Sequence, residues 1–233
     1  MNADQLSKRL ETVAEFLQKP IRFADIGSDH AYLPCYVCQN EPEAFAIAGE
    51  LNRGPYLSAL EEVNNRQLTH QIEVIQGNGL EVIDNRVNQI VIAGMGGPLI
   101  KEILDKGKDK LTHVSKIITQ PNIDARSIRK WLIDHEYNLV NEVILEESGH
   151  VYEILVAEKG NPKSNYDEKM LELQLWLGPH LLREKNSAFC KKWEEEKAKK
   201  QRIVGQMKRA SEPDFKKIKQ FEKEINWLEE VLR

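Results

Sequence analysis

The chain has 233 residues, 41% of them hydrophobic and 30% charged, which is enough apolar content for a core and ordinary charge for a globular protein. No apolar run approaches the ~18 residues of a membrane span, the opening MNADQLSKRLETVAEFL carries no signal-peptide core, and three cysteines are too few for a disulfide framework; membrane, secreted, collagen-like and disordered classes are excluded and a cytoplasmic globular protein is expected. The net charge of −4 divides unevenly, residues 1–160 holding 16 Lys and Arg against 24 Asp and Glu and residues 161–233 holding 17 against 13, so an acidic body precedes a basic tail of the kind that meets a polyanion or forms a solvated helix.

Leu6, Leu10, Val13, Ala14 and Leu17 recur at steps of three and four and predict a helix over 4–18, stopped by Pro20. Short apolar runs at 21–26, 44–48, 72–75, 89–93 and 116–120 read as strands, separated by helical patterns near 31–39, 54–66, 98–107 and 123–135. Alternation of this kind builds a parallel sheet with helices on both faces. Residues 137–146 and 150–159 then form two strand-like runs joined only by Glu147-Ser148-Gly149, which predicts an antiparallel hairpin. Five βα units followed by a hairpin match the Rossmann-like layout of class I S-adenosylmethionine (SAM) methyltransferases and depart from dinucleotide dehydrogenases.

Residues 160–165 read as a linker, dividing a domain of 1–160 from a helical domain of 161–233. Amphipathic helix over 171–182 is interrupted at Gly178-Pro179, and a long helix runs to about Ala210. Ser211 is the expected cap of a last helix, with Pro213 in its first turn. Phe215, Ile218, Phe221, Ile225, Leu228 and Leu232 make a seam opposite Phe189, Trp193, Ile203 and Met207, with Glu196 and Lys200 also on it. An antiparallel coiled-coil hairpin, looser in its middle, is expected.

The residues with chemical character lie at the carboxyl ends of the strands, where open α/β sheets bind ligands. Asp25-Ile26-Gly27-Ser28-Asp29-His30 follows the first strand. Its single glycine allows a tight turn, and Asp29 stands where a dinucleotide fingerprint needs glycine, so the loop suits a cationic ligand better than a pyrophosphate. It reads alternatively as an ordinary turn with Asp25 capping the helix. Glu50, followed by Leu51, ends the second strand and is placed to take both hydroxyls of a ribose, or to be solvated. Asn78 and Gly79 after the third strand offer an amide to an adenine edge, or form a plain turn. Ala93-Gly94-Met95-Gly96-Gly97 after the fourth strips side chains from the central mouth and leaves room for a flat ring. Gln120-Pro121-Asn122 after the fifth presents donors and acceptors for a base edge. Cys35 and Cys38 form a lone C-x-x-C without a second pair of ligands, so buried packing is expected and no metal. His30 reads as a structural or substrate contact rather than a general base.

The motifs Asp25-Ile-Gly-Ser-Asp-His-Ala-Tyr-Leu-Pro34, Ala93-Gly-Met-Gly-Gly97 and Gln120-Pro-Asn122, with Leu6-Ser-Lys-Arg-Leu10 and Tyr152-Glu-Ile-Leu-Val-Ala157, resemble the bacterial tRNA (adenine-22 N1)-methyltransferases, the TrmK family. The resemblance implies a SAM-dependent enzyme that methylates N1 of an adenine in the tRNA D-loop region, and a monomer is expected. It also implies roles. Asp25, Gly27, Ser28 and Asp29 would line the methionine part of SAM, with Arg9 at its carboxylate. Glu50 and Leu51 would hold the ribose, Asn78 and Gly79 the adenine, and Ala93, Gly94 and Met95 would face the methyl. For the chemistry itself, Asp29 as a catalytic group, or a carbonyl of the 93–97 loop, is expected to accept from the exocyclic amine of the target base, with His30, Tyr32, Gln120, Pro121 and Asn122 in contact with that base. Competing readings are an NAD-dependent dehydrogenase, a non-catalytic SAM- or RNA-binding module, and a methyltransferase acting on another RNA or a small molecule.

Overall fold

Apolar β-rich segments separated by amphipathic helices assemble, in a computed structural model describing residues 2–233, into a single seven-stranded sheet. The strands are β1 (Arg22–Ile26), β2 (Phe45–Glu50), β3 (Ile72–Gln76), β4 (Gln89–Gly96), β5 (Lys116–Ile123), β6 (Tyr137–Glu147) and β7 (His150–Lys159). Their order is β3-β2-β1-β4-β5-β7-β6. The first five pair in parallel, and β7 enters antiparallel between β5 and β6. The order reverses between β1 and β4, which makes the carboxyl ends of those two strands the topological switch point.

The helices of this region are α1 (Lys8–Glu15), α2 (Tyr32–Asn40), α3 (Arg53–Asn65), α4 (Gly97–Lys106) and α5 (Ala125–Asp134). One face of the sheet packs Phe23, Ala46 and Val91 against Leu10, Val13, Leu33 and Ala59. The other packs Ile26, Ile47, Ile90 and Ile92 against Ile100, Leu104, Ile128 and Trp131. Both faces are thus covered, as the strands' continuous apolar runs require. The first helix is shorter than the apolar spacing predicts: it begins at Lys8 because Ser7 caps it, its hydroxyl accepting from the Leu10 N–H. Leu6 and Leu17 are buried from non-helical flanks.

After the hairpin come α6 (Leu171–Leu177), α7 (Leu181–Glu184), α8 (Ser187–Met207) and α9 (Phe215–Val231). The last two run antiparallel, with Lys208 paired to Glu222 at 2.6 Å at one end and Lys185 Nζ donating to the Val231 carbonyl at 2.7 Å at the other. Two expected details change. The cap of α9 is Asp214, which accepts from the Lys217 N–H at 3.0 Å, rather than Ser211. Phe215 is exposed, and Val204 is buried where Ile203 is only half-buried, so the apolar seam is shorter than its spacing suggests. Its polar middle is an ion pair, Lys200 to Glu224 at 2.8 Å, both buried. A further apolar cluster joins Ile144 of β6 to Leu177, Leu181, Phe189, Trp193 and Leu228, so the helical tail packs on the sheet's antiparallel edge. Among the described residues no helix is long and apolar enough to cross a membrane.

Candidate active site

The loops at the carboxyl ends of β1, β2, β4 and β5 converge beside the switch point. Asp25, the penultimate residue of β1, is buried, and its Oδ2 accepts from the Ser28 hydroxyl at 2.6 Å. Burial raises its carboxyl to about 7, the Ser28 hydrogen bond and Arg9 opposing and Glu50 assisting. Glu50 is also buried, and its carboxyl is raised by burial too, against the bond that its Oε1 receives from the Asp29 N–H. Two carboxylates held out of water with spare acceptor capacity are matched to cations and hydroxyl donors. Asp29 and Ala31 adopt φ of +58° and +54°, which turns the chain into α2.

Gly27 (φ +74°) is required by its backbone, which lies in the left-handed region; a Cβ there would also meet the flexible end of Met95, which would have to move aside. Gly97 is required by close approach, since a Cβ would overlap the Asp124 carbonyl. That contact ties the β4–α4 turn to the β5–α5 turn and shapes the mouth.

Arg9, from α1, reaches the same place. Its Nη1 donates to Gln120 Oε1 at 2.6 Å, and its guanidinium lies 5.4 Å from the Tyr152 ring centre. Gln120 is fully buried, and its Oε1 also accepts from the Gly94 N–H at 3.1 Å. Gln120 Nε2 donates to Asn122 Oδ1 at 3.2 Å, and Asn122 Nδ2 donates to the Gly94 carbonyl at 2.8 Å. The Gln-Pro-Asn motif therefore holds the glycine loop, with buried Pro121 beside Met95 in the ladder. A bulge between Ala93 and Met95 lets that loop leave the regular register.

Other expected site residues are placed more openly. Asp29's side chain is 69% exposed, with His30 Nε2 3.8 Å from its Oδ1. His30 stacks on Tyr32, ring centres 5.1 Å apart. Leu51 is exposed beyond Glu50, and Asn78 and Gly79 form the exposed-to-half-buried start of a 3-10 turn in which Glu81 caps the Asn78 N–H. Cys35 and Cys38 are buried in α2 with thiols pushed up to about 12 by burial. Among the described residues no group of three His, Cys, Asp or Glu is arranged to hold a metal. Ile123 is the residue that sequence reasoning misses: its position predicts the start of a helix, yet it is the last residue of β5, paired with Gly96 and 67% exposed. A large apolar side chain left open at a strand's carboxyl end is the signal that finds it, and it appears only in three dimensions.

With this geometry in hand, the comparisons with known proteins decide the family. The model of the TrmK family, tRNA (adenine(22)-N(1))-methyltransferase, matches residues 23–230. The chain belongs to the TrmK family. It is 48% identical to the tRNA (adenine(22)-N(1))-methyltransferase of Bacillus subtilis over its whole length and 99% of that protein. The crystal structure of the B. subtilis m1A22 tRNA methyltransferase TrmK superposes with a TM-score of 0.94 at 47% identity, covering 98% of this chain and 99% of the other. M. capricolum TrmK, solved with S-adenosyl-homocysteine, superposes with a TM-score of 0.82 at 30% identity over 98% and 99% of the two chains. A Streptococcus pneumoniae protein solved with S-adenosyl-L-methionine superposes at 0.86 and 38% identity, over 98% of this chain and all of that one. A TrmK-family chain with buried carboxylates at β1 and β2 and an open glycine loop at β4 has a donor set that fits SAM: acceptors for an ammonium and a ribose diol, and backbone alone where a ligand must approach closely.

Proposed function

We infer that the chain transfers the methyl group of SAM to N1 of adenine 22 in tRNA. The observation that carries this is TrmK membership over the whole chain together with the Asp25–Glu50 carboxylate pair at the switch point. Bound SAM supplies an electrophilic methyl on a sulfonium, which the lone pair of adenine N1 can accept without first losing a proton. The protein's contribution is then to bind, orient and exclude water.

Asp25, Gly27 and Ser28 hold the methionine portion, with Arg9 at its carboxylate; Glu50 and Leu51 hold the ribose, and Asn78 and Gly79 the adenine. Ala93, Gly94 and Met95 face the methyl, their loop fixed by Gln120 and Asn122. Positive charge grows on the target base as N1 is alkylated, and Asp29 stabilises it by accepting from the exocyclic amine. N1 lies on the Watson–Crick edge, so the base must leave its stack to enter the mouth. There it meets His30, Tyr32 and the Gln120-Pro121-Asn122 turn. No side chain is needed as a general base.

Residues 1–160 form the catalytic domain and 161–233 a helical domain whose net positive charge favours tRNA phosphates. The enzyme acts as a monomer in the cytoplasm. Incubation with SAM and tRNA, followed by reverse transcription, tests the reading: N1 methylation blocks pairing and must place a new stop at adenine 22, absent from a transcript carrying guanine there. A chain that transfers no methyl and produces no stop overturns it.

A further inference from the structure

A cleft of about 660 Å³ separates the β5–α5 turn and the β6–β7 turn from α8. It begins at Asn122 and Ile123, and Asn122 Nδ2 also donates to the Gly94 carbonyl, so cleft and mouth share the wall formed by the β5–α5 turn. Trp193 lines it, is only 4% exposed, and has an indole N–H with no partner among the described residues. The Arg126 Nε–H, in the same wall, is also buried without an acceptor. Native interiors rarely leave such donors unmade, because each costs its desolvation. Two orphaned donors in one cleft ask for an occupant rich in acceptors.

The charges agree. Arg126 and Lys199 are the cations open to a ligand, Lys199 having only a loose 3.6 Å contact with Glu196. Of the acids, Asp124 is spent as the cap of α5 and Glu153 is tied to Arg129 and Lys192, while Glu196 is shared with Lys200 and Glu195 is exposed.

We propose that this cleft, opening from the mouth at Ile123, binds the RNA strand adjoining the target adenine, with Arg126 and Lys199 on its phosphates and the Trp193 N–H on a backbone or base oxygen. The proposal rests on the methyl-transfer reading above. An extruded nucleotide stays tied to its neighbours, so the strand must leave the mouth through a channel able to neutralise it. Ile123, at the threshold, packs on the extruded base and keeps it from restacking.

The test uses the full chain and an unmodified tRNA transcript. The double variant Arg126→Glu/Lys199→Glu is expected to bind tRNA at least tenfold more weakly, with SAM affinity unchanged. Its log K against log salt slope should be shallower by about 0.7 for each single-strand phosphate that the protein no longer neutralises. Arg126→Gln/Lys199→Gln, which introduces no repulsion, should show the same flattening, and Trp193→Phe should remove part of the tryptophan fluorescence change that tRNA causes. A double variant with wild-type tRNA affinity and salt slope, beside a wild type that methylates, overturns the cleft alone. A wild type that leaves tRNA unmethylated overturns the functional reading and the cleft with it.

Discussion

Arg9 and Gln120, 111 residues apart, meet at 2.6 Å beneath the glycine loop of β4. The bond couples the first helix to the fifth strand and, through the Gly94 N–H on the same oxygen, to the glycine loop after β4. Gln120→Ala leaves the guanidinium and a backbone N–H without their acceptor, each costing about 1–3 kcal/mol. The expected outcome is a chain destabilised by about 2 kcal/mol, with kcat/KM for SAM down roughly tenfold or more. Arg9→Met should cause an overlapping loss, and a double-mutant cycle should give a coupling of about 0.5–3 kcal/mol. Additive losses in denaturant melts and kinetics would show that the two side chains act separately.

The proposed place of Asp25 at the cofactor predicts an affinity that depends on pH. Burial, with Glu50 nearby, raises its carboxyl to about 7 from 3.8. In the free protein this raised value costs stability as pH climbs from 3.8 to about 7, since the unfolded chain ionises first. A cationic ligand reverses the preference: it favours the carboxylate, so binding below about pH 7 must release a proton. SAM affinity is therefore expected to rise with pH and level off above 7. Titration calorimetry in buffers of different ionisation enthalpy should detect the released proton near pH 6, and Asp25→Asn should flatten the profile. A pH-independent affinity in the wild type would contradict the assignment.

Gly27 and Met95 meet between the carboxyl ends of β1 and β4. Gly27→Ala imposes φ +74° on a residue with a Cβ, costing about 1–2 kcal/mol, and pushes that Cβ into the Met95 methyl. Met95→Ala removes the collision but not the backbone strain. Gly27→Ala should lower SAM affinity at least tenfold, Gly27→Ala/Met95→Ala should recover only part of it, and Met95→Ala alone should weaken binding less than Gly27→Ala does. Full recovery in the double variant would mean that the clash, not the backbone, is decisive.

What the residues reveal in advance follows a physical pattern. The strand ends that bring the candidate site together are legible because each combines an apolar run with an acid, an amide or glycines at its carboxyl terminus, where parallel sheets generally bind ligands. Helix ends are less legible. Ser7 and Asp214 win the caps from earlier or neighbouring candidates such as Ser211 because their side chains actually reach the N3 amide. Arg9's position relies on a contact across 111 residues, for which local spacing carries no signal. Ile123 reads as helix from pattern because bulge and ladder extend β5 beyond its apolar run.

The least legible feature joins the helical tail to the sheet. Arg129 of α5 is wholly buried and donates to Glu142 of β6 at 2.7 Å, to Glu153 of β7 at 2.5 Å and to the Leu175 and Trp176 carbonyls of α6 at 3.3 and 3.1 Å. Lys192 of α8 completes the set on Glu153, and Glu142 accepts from the His180 N–H at 3.0 Å. Burial raises the Glu142 carboxyl despite Arg129; at Glu153 it is outweighed by Lys192 and Arg129 together, which hold that carboxyl low. Removing one partner strands the others, so Arg129→Met is expected to cost about 3–5 kcal/mol. Deleting 161–233 removes Lys192, both carbonyl acceptors and the apolar cover of Ile144 at once. The midpoint of thermal unfolding should then fall by roughly 10 °C or more in the truncated chain. The truncation should also weaken tRNA binding, and the two effects separate in Lys199→Glu, which loses RNA affinity while unfolding at the wild-type temperature. A truncated chain as stable as the full one, measured by calorimetry, would mean that the buried cluster contributes nothing to holding the sheet's antiparallel edge.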